Sequence, residues 1–160
     1  MNMAGITVAD RAVAVKALER ARETGGPAAA LELEDGRIIT GKTTNLLGAS
    51  AALLLNVLKE LAGLDHGLHI ISPESIEPIQ KLKVDYLKSK NPRLHTDEVL
   101  IALSASAAAN PDAGLALSQL PKLDGCQAHT SVMLSDVDIK IFKKLGVQLT
   151  CEAVYEHTIF

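Results

Sequence analysis

The sequence predicts an α/β fold, a mixed sheet with helices on both faces. Three features carry this reading. Asp35-Gly36, the strongest two-residue turn signal, lies between two extended runs and predicts a β-hairpin over Ala28 to Lys42. The stretch from Gly48 to Ala62 is apolar on nearly every side and reads as a helix covered by the rest of the chain. The last segment runs strand, helix, strand, a crossover that is right-handed and leaves its two strands parallel.

Each element has its own local cause. Thr7 to Arg22 reads as a helix, opened by a Thr7–Asp10 capping box and closed by Gly25-Gly26-Pro27. With a two-residue hairpin loop, Leu33 stands opposite Ile38 and Leu31 opposite Thr40, while Glu34 pairs with Arg37 on the other face. Gly63 closes the apolar helix. Leu68-His69-Ile70-Ile71 is short, apolar and partly β-branched, and is expected to be a central strand. Ser72 caps and Pro73 opens a helix that runs to Leu87. Thr96 is expected to cap an Ala-rich helix to about Ala109, with Asp97 and Glu98 at its positive end. Asn110-Pro111 starts a further helix to about Leu120. Cys126 to Leu134 and Val147 to Tyr155 alternate apolar and polar residues as strands do. Between them, Ser135 with Asp138 caps a helix that Gly146 stops.

Composition narrows the function. Apolar residues form 48% of the 160, enough for the core of one α/β domain spanning residues 1–160. The net charge is −3, with two Tyr, two Phe and no Trp, so neither a basic stripe nor a base-stacking platform is present. Nucleic acid is therefore not expected as a partner. The longest apolar run, Ala49 to Leu55, is far below the ~20 residues of a membrane helix, and M-N-M-A-G-I-T lacks a secretory pattern. Cys126 and Cys151 make no disulfide framework, which points to the reducing cytoplasm.

Gly36, Gly41, Lys42 and Thr43 satisfy the pattern G-x-x-x-x-G-K-[ST] of a phosphate-cradling loop. Such a loop needs a strand before its first glycine and a helix at its lysine. Here the first glycine is a hairpin turn, and Arg37 to Thr40 are themselves the returning strand. No nucleotide fingerprint follows. A simpler anion site remains open, with Lys42, Thr43 and Ser50 near the unpaired amides of the apolar helix.

Cys126-x-x-His129, with Cys151 and His157 beyond it, resembles half of a zinc site. The odd spacing puts Cys126 and His129 on opposite faces of one strand, so no metal ligand set and no cofactor is expected. The densest polar cluster is Asn91-Pro92-Arg93-Leu94-His95-Thr96-Asp97-Glu98. Arg93 suits a carboxylate or phosphate, His95 suits proton exchange, and Thr96 and Asp97 suit ligand contact or orientation of His95. His129 is a second-rank candidate.

Several long strings together resemble a known family. D-G-R-I-I-T-G-K-T, L-L-G-A-S-A-A-L-L-L-N, I-S-P-E-S-I-E-P-I-Q-K-L-K, N-P-R-L-H-T-D-E-V-L-I-A-L-S and Q-L-P-K-L-D-G-C-Q-A-H-T-S-V are similar to the C-terminal part of the bacterial domain-of-unknown-function family 1846. That resemblance implies a longer parent protein whose N-terminal portion is a partner, and it transfers no activity. By analogy, the element order also resembles a cytidine-deaminase-like layout. The positions of its zinc ligands read Gly48-Ala49-Ser50 and Ser72-Pro73-Glu74-Ser75, with no thiolate or imidazole. The expected role is an assembly or half-site module of the larger protein, a homo-oligomer through its apolar helices. The alternative is an enzyme domain that binds a small molecule, an anionic ligand or a nucleotide, through the N-P-R-L-H-T-D-E cluster of Asn91 to Glu98.

Overall fold

The computed structural model describes residues 12–152, so the Thr7–Asp10 cap, Tyr155 and His157 lie outside the described residues. The sheet has four strands, β1 (Ala28–Glu32), β2 (Ile38–Lys42), β3 (Gln127–Thr130) and β4 (Gln148–Cys151), in the order β2-β1-β3-β4. β1 runs antiparallel to β2 and to β3, and β3 and β4 are parallel, as the closing strand–helix–strand segment predicts. The helices are α1 (Ala12–Thr24), α2 (Ala49–Ala62), α3 (Pro73–Lys81), α4 (Thr96–Ala107), α5 (Pro111–Leu117) and α6 (Asp136–Lys144). A π-turn, Leu82–Tyr86, extends α3, and a short 3-10 turn, Leu120–Leu123, precedes β3. Among the described residues, no helix is long and apolar enough to cross a membrane.

Alternation along β1 places helices on both faces of the sheet. Ala29 and Leu31 join the main core with Leu53, Val57, Leu103 and Phe142, whereas Ala30 meets Val13 and Ala17 of α1 on the other side. Three of the helix ends follow their local signals. Gly63 and Gly146 adopt left-handed φ values of 72° and 82°, and the Asn110 side chain accepts the Asp112 amide at 3.0 Å.

Two expectations are corrected. The hairpin loop has three residues instead of two: the Leu33 amide donates to Arg37 at 2.8 Å, the Gly36 amide donates to Leu33 at 2.9 Å, and Gly36 has φ 91°. Leu31 therefore pairs with Ile39 and Glu32 with Ile38, one place from the expected register. A one-residue slip exchanges faces, so Ile39 packs on the main core and Ile38 under α1. Arg37 then pairs with Asp35, Nε to Oδ2 at 2.8 Å, and reaches Glu60 instead of Glu34.

The second correction concerns Leu68 to Ile71, which forms no strand. Ile70 and Ile71 are buried as coil against the core, and β3 takes the place beside β1. An apolar run reports burial and cannot by itself distinguish a strand from a buried loop.

Both glycines of the phosphate-loop pattern have structural reasons. Gly36 supplies the left-handed turn. At Gly41, α2 crosses β2 so closely that a Cβ would lie 2.3 Å from the Leu53 amide nitrogen and 2.5 Å from its Cα. Ile38–Lys42 is paired strand, and the next helix starts only at Ala49. We expect Gly41→Ala to cost about 2–3 kcal/mol in urea unfolding through overpacking, and Gly36→Ala only about 1 kcal/mol through its backbone. Equal costs would contradict the close crossing of α2.

Candidate functional site

Asp138 lies in the first turn of α6, where Ser135 caps the helix by accepting the Asp138 amide at 3.4 Å. Its carboxylate points away from that cap toward two other helices. Oδ1 accepts the Thr96 amide at 2.9 Å and the Thr96 hydroxyl at 2.7 Å. Oδ2 accepts the Ser50 hydroxyl at 3.2 Å and lies 3.3 Å from His95 Nδ1. Four donors thus surround one buried carboxylate. Burial pushes the Asp138 carboxyl upward, but the bonds from His95 and from the Thr96 amide and hydroxyl outweigh it and hold the group below its ordinary value. The Asp138 hydrogen bond in turn raises the His95 imidazole above its ordinary value, against burial and the nearby Lys83 charge.

His95, rather than Thr96, is the N-cap of α4, which frees the Thr96 hydroxyl for Asp138. Glu98 completes the start of the helix by accepting the His95 amide at 2.8 Å. The same Glu98 oxygen receives the ammonium of buried Lys83 at 2.9 Å, and Lys83 also donates to the Arg93 carbonyl at 2.5 Å. Lys83, from the π-turn, therefore pins the backbone that carries Arg93 and His95. The Arg93 Nε donates to the Thr44 carbonyl at 2.6 Å, and its terminal nitrogens have no hydrogen-bond partner among the described residues. Ser50, Asn91, Arg93, His95, Ser135 and Asp138 line a cavity of about 160 Å³.

The structure thus brings three predicted site residues, Ser50, Arg93 and His95, to one cavity, with Thr96 behind them on Asp138. It separates Lys42, Thr43 and Asp97 from them. Lys42 lines a different groove. The Thr43 hydroxyl is buried without a partner among the described residues. Asp97 accepts the neighbouring Glu98 amide at 2.8 Å, and Asp138 takes the part of orienting His95. His129 is buried on the α1 side of β3, with Nδ1 2.6 Å from the Thr150 hydroxyl and Nε2 2.7 Å from Glu152. No group of three His, Cys, Asp or Glu side chains among the described residues is placed to hold a metal ion.

Asp138 and Lys83 escaped the sequence reading. Asp138 had a sufficient local explanation as the acid of a Ser135 capping pair, and nothing in the sequence marks Lys83 apart from other surface lysines.

Asp138→Ala would strand the buried Ser50 and Thr96 donors, and we expect it to cost about 3 kcal/mol. The part due to the Asp138–His95 pair is complete between about pH 4 and 6.5, the ordinary values of the two groups. Above that range it is lost as pH rises through the raised His95 pKa, and below it as pH falls through the lowered Asp138 pKa. Thermal unfolding of both proteins across pH checks this: the gap is widest within that window, and a pH-independent gap would contradict the pairing.

A profile for the domain of unknown function DUF1846, C-terminal, matches residues 9–160. A UPF0371 protein of Corynebacterium efficiens is 60% identical over 156 residues, covering 98% of this chain and 32% of that protein. A UPF0371 protein of Corynebacterium glutamicum is 56% identical with the same coverage. One from Streptococcus pneumoniae serotype 19F is 48% identical over 157 residues, again with 98% and 32% covered. The chain thus spans about a third of the length of these curated relatives. It belongs to the DUF1846 family and corresponds to its C-terminal domain.

Proposed function

We propose that this domain supplies an acid–base half-site to a larger protein acting on a substrate with a carboxylate or phosphate group. The observation that carries the reading is the placement of His95. Asp138 holds Nδ1, and Nε2 has no partner among the described residues of a cavity that Arg93 also lines. That arrangement leaves Nε2 to give or take a proton, with Asp138 as a positioning residue that fixes the tautomer and supports the imidazolium. The terminal nitrogens of Arg93 suit an oxyanion in a forked geometry.

Size supports a half-site. A cavity of about 160 Å³ fits one oxyanion group, whereas whole small-molecule pockets run from about 300 Å³ upward. The remaining walls then come from the rest of the protein. Leu82, Val84, Tyr86 and Leu87 support this, since they are 48%, 39%, 67% and 67% exposed along one short segment. Lys83, between them, faces inward to Arg93 and Glu98, so whatever covers this ridge rests on the scaffold of the site. Cys126 and Cys151 are unpaired, which fits a cytoplasmic setting. The cytidine-deaminase-like layout loses an element on which the analogy rested, because Leu68 to Ile71, the expected strand between α2 and α3, is coil.

A homo-oligomer is the second reading, and the same apolar ridge favours it. Sedimentation at micromolar concentration then shows a dimer that Leu87→Glu dissociates; a monomeric wild-type chain removes this reading. For the site itself, sulfate, whose charge is constant across neutral pH, titrated by heteronuclear NMR is expected to shift signals around Arg93 and His95. Binding strengthens as pH falls and His95 becomes charged, and Arg93→Ala weakens it about tenfold or more. Sulfate binding that ignores both pH and Arg93→Ala would reject the oxyanion site.

A further inference from the structure

A second cavity, separate from Asp138, is a groove of about 560 Å³ between the outer edge of β2, α2 and the coil leading into α3. This volume is within the range of pockets that enclose small molecules. Its walls are apolar, with Leu47, Leu55, Ile70 and Ile76 among them. Every charged side chain that lines it is basic: Arg20, Lys42 and Lys59. No carboxylate does so, although the chain has 19 acidic residues against 16 Lys and Arg.

Lys59 makes that imbalance matter. Its ammonium donates to two neutral carbonyls, His66 at 2.9 Å and Leu68 at 3.3 Å, and no carboxylate comes within ion-pair distance among the described residues. Burial depresses its proton affinity, opposed by the charge of Asp65. Lys42, exposed at the rim, forms no ion pair among the described residues. Arg20 is paired with Glu23 at 3.3 Å, so the positive charge left without an ion pair among the described residues beside these apolar walls is that of Lys42 and Lys59.

We infer that this groove binds an amphipathic anion, an apolar body bearing one carboxylate or phosphate group. The apolar body lies along Leu55, Ile70 and Ile76, and the anionic group is held by Lys42 and Lys59. A neutral ligand would leave the Lys59 charge desolvated without compensation, and a cationic one would be repelled. This site does not depend on the His95 reading, because neither His95 nor Asp138 lines the groove.

Calorimetric titration of this chain with octanoate, octan-1-ol and octylammonium, three probes of one apolar length, tests the inference. Octanoate is expected to bind at least tenfold more tightly than octan-1-ol, and octylammonium is expected not to bind. Lys42→Glu, at an exposed position, removes the preference for octanoate, whereas Lys122→Glu, an exposed charge reversal away from the groove, leaves it unchanged. Lys59→Met gives the same loss if the variant folds. Equal affinity for octanoate and octan-1-ol, indifference to Lys42→Glu, or no octanoate binding at millimolar concentration would overturn it.

Discussion

A carboxylate taken out of water must find donors for its oxygens, or it protonates or unfolds its surroundings. Asp138 is in that position, with its side chain only 6% exposed. Its donors come from Ser50, 88 residues away in sequence, and from Thr96, 42 residues away, with His95 beside Oδ2. One charge therefore fixes the starts of α2, α4 and α6 relative to each other. The cavity forms where those three helix starts meet, so the interaction that holds the helices also sets the geometry of the candidate site. The imidazole of His95 belongs to the folding network through Nδ1 and to the cavity through its remaining nitrogen.

The coil between β2 and α2 joins the cavity beside Asp138 to the apolar groove. The Thr44 carbonyl receives Arg93, which lines the cavity beside Asp138, while Thr44 also lines the apolar groove. The short parallel bridge between Leu47 and Leu94 runs through the same region. This coil can be placed here because α2 lies directly against β2, and that crossing requires glycine at 41. The residues that mimic a phosphate loop are thus constrained by the packing of a hairpin against a helix.

What was legible in the sequence was local. The hairpin, the apolar α2 with Gly63 behind it, the Asn110 and Ser135 caps and the closing parallel pair each follow from signals a few residues wide. The clustering of Arg93, His95 and Thr96 on one loop was legible for the same reason. The remainder depended on distant partners. The register of β2 turned on a third loop residue that a two-residue turn signal hides. Leu68 to Ile71 was apolar because it is buried, and only the arrival of β3 decided that it was not a strand. Asp138 satisfied a capping pattern with its neighbours, so its more important bonds, to residues of α2 and α4, left no trace nearby.

The central claim is that Asp138 orients and charges His95. Histidine-selective NMR of the wild-type chain and of Asp138→Asn measures this directly, through the titration of one imidazole. The account predicts a wild-type midpoint above the ordinary value of about 6.5, with the proton held on Nδ1, and a lower midpoint in the variant. Superimposable titrations of His95 in the two proteins, both at the ordinary midpoint, would contradict it.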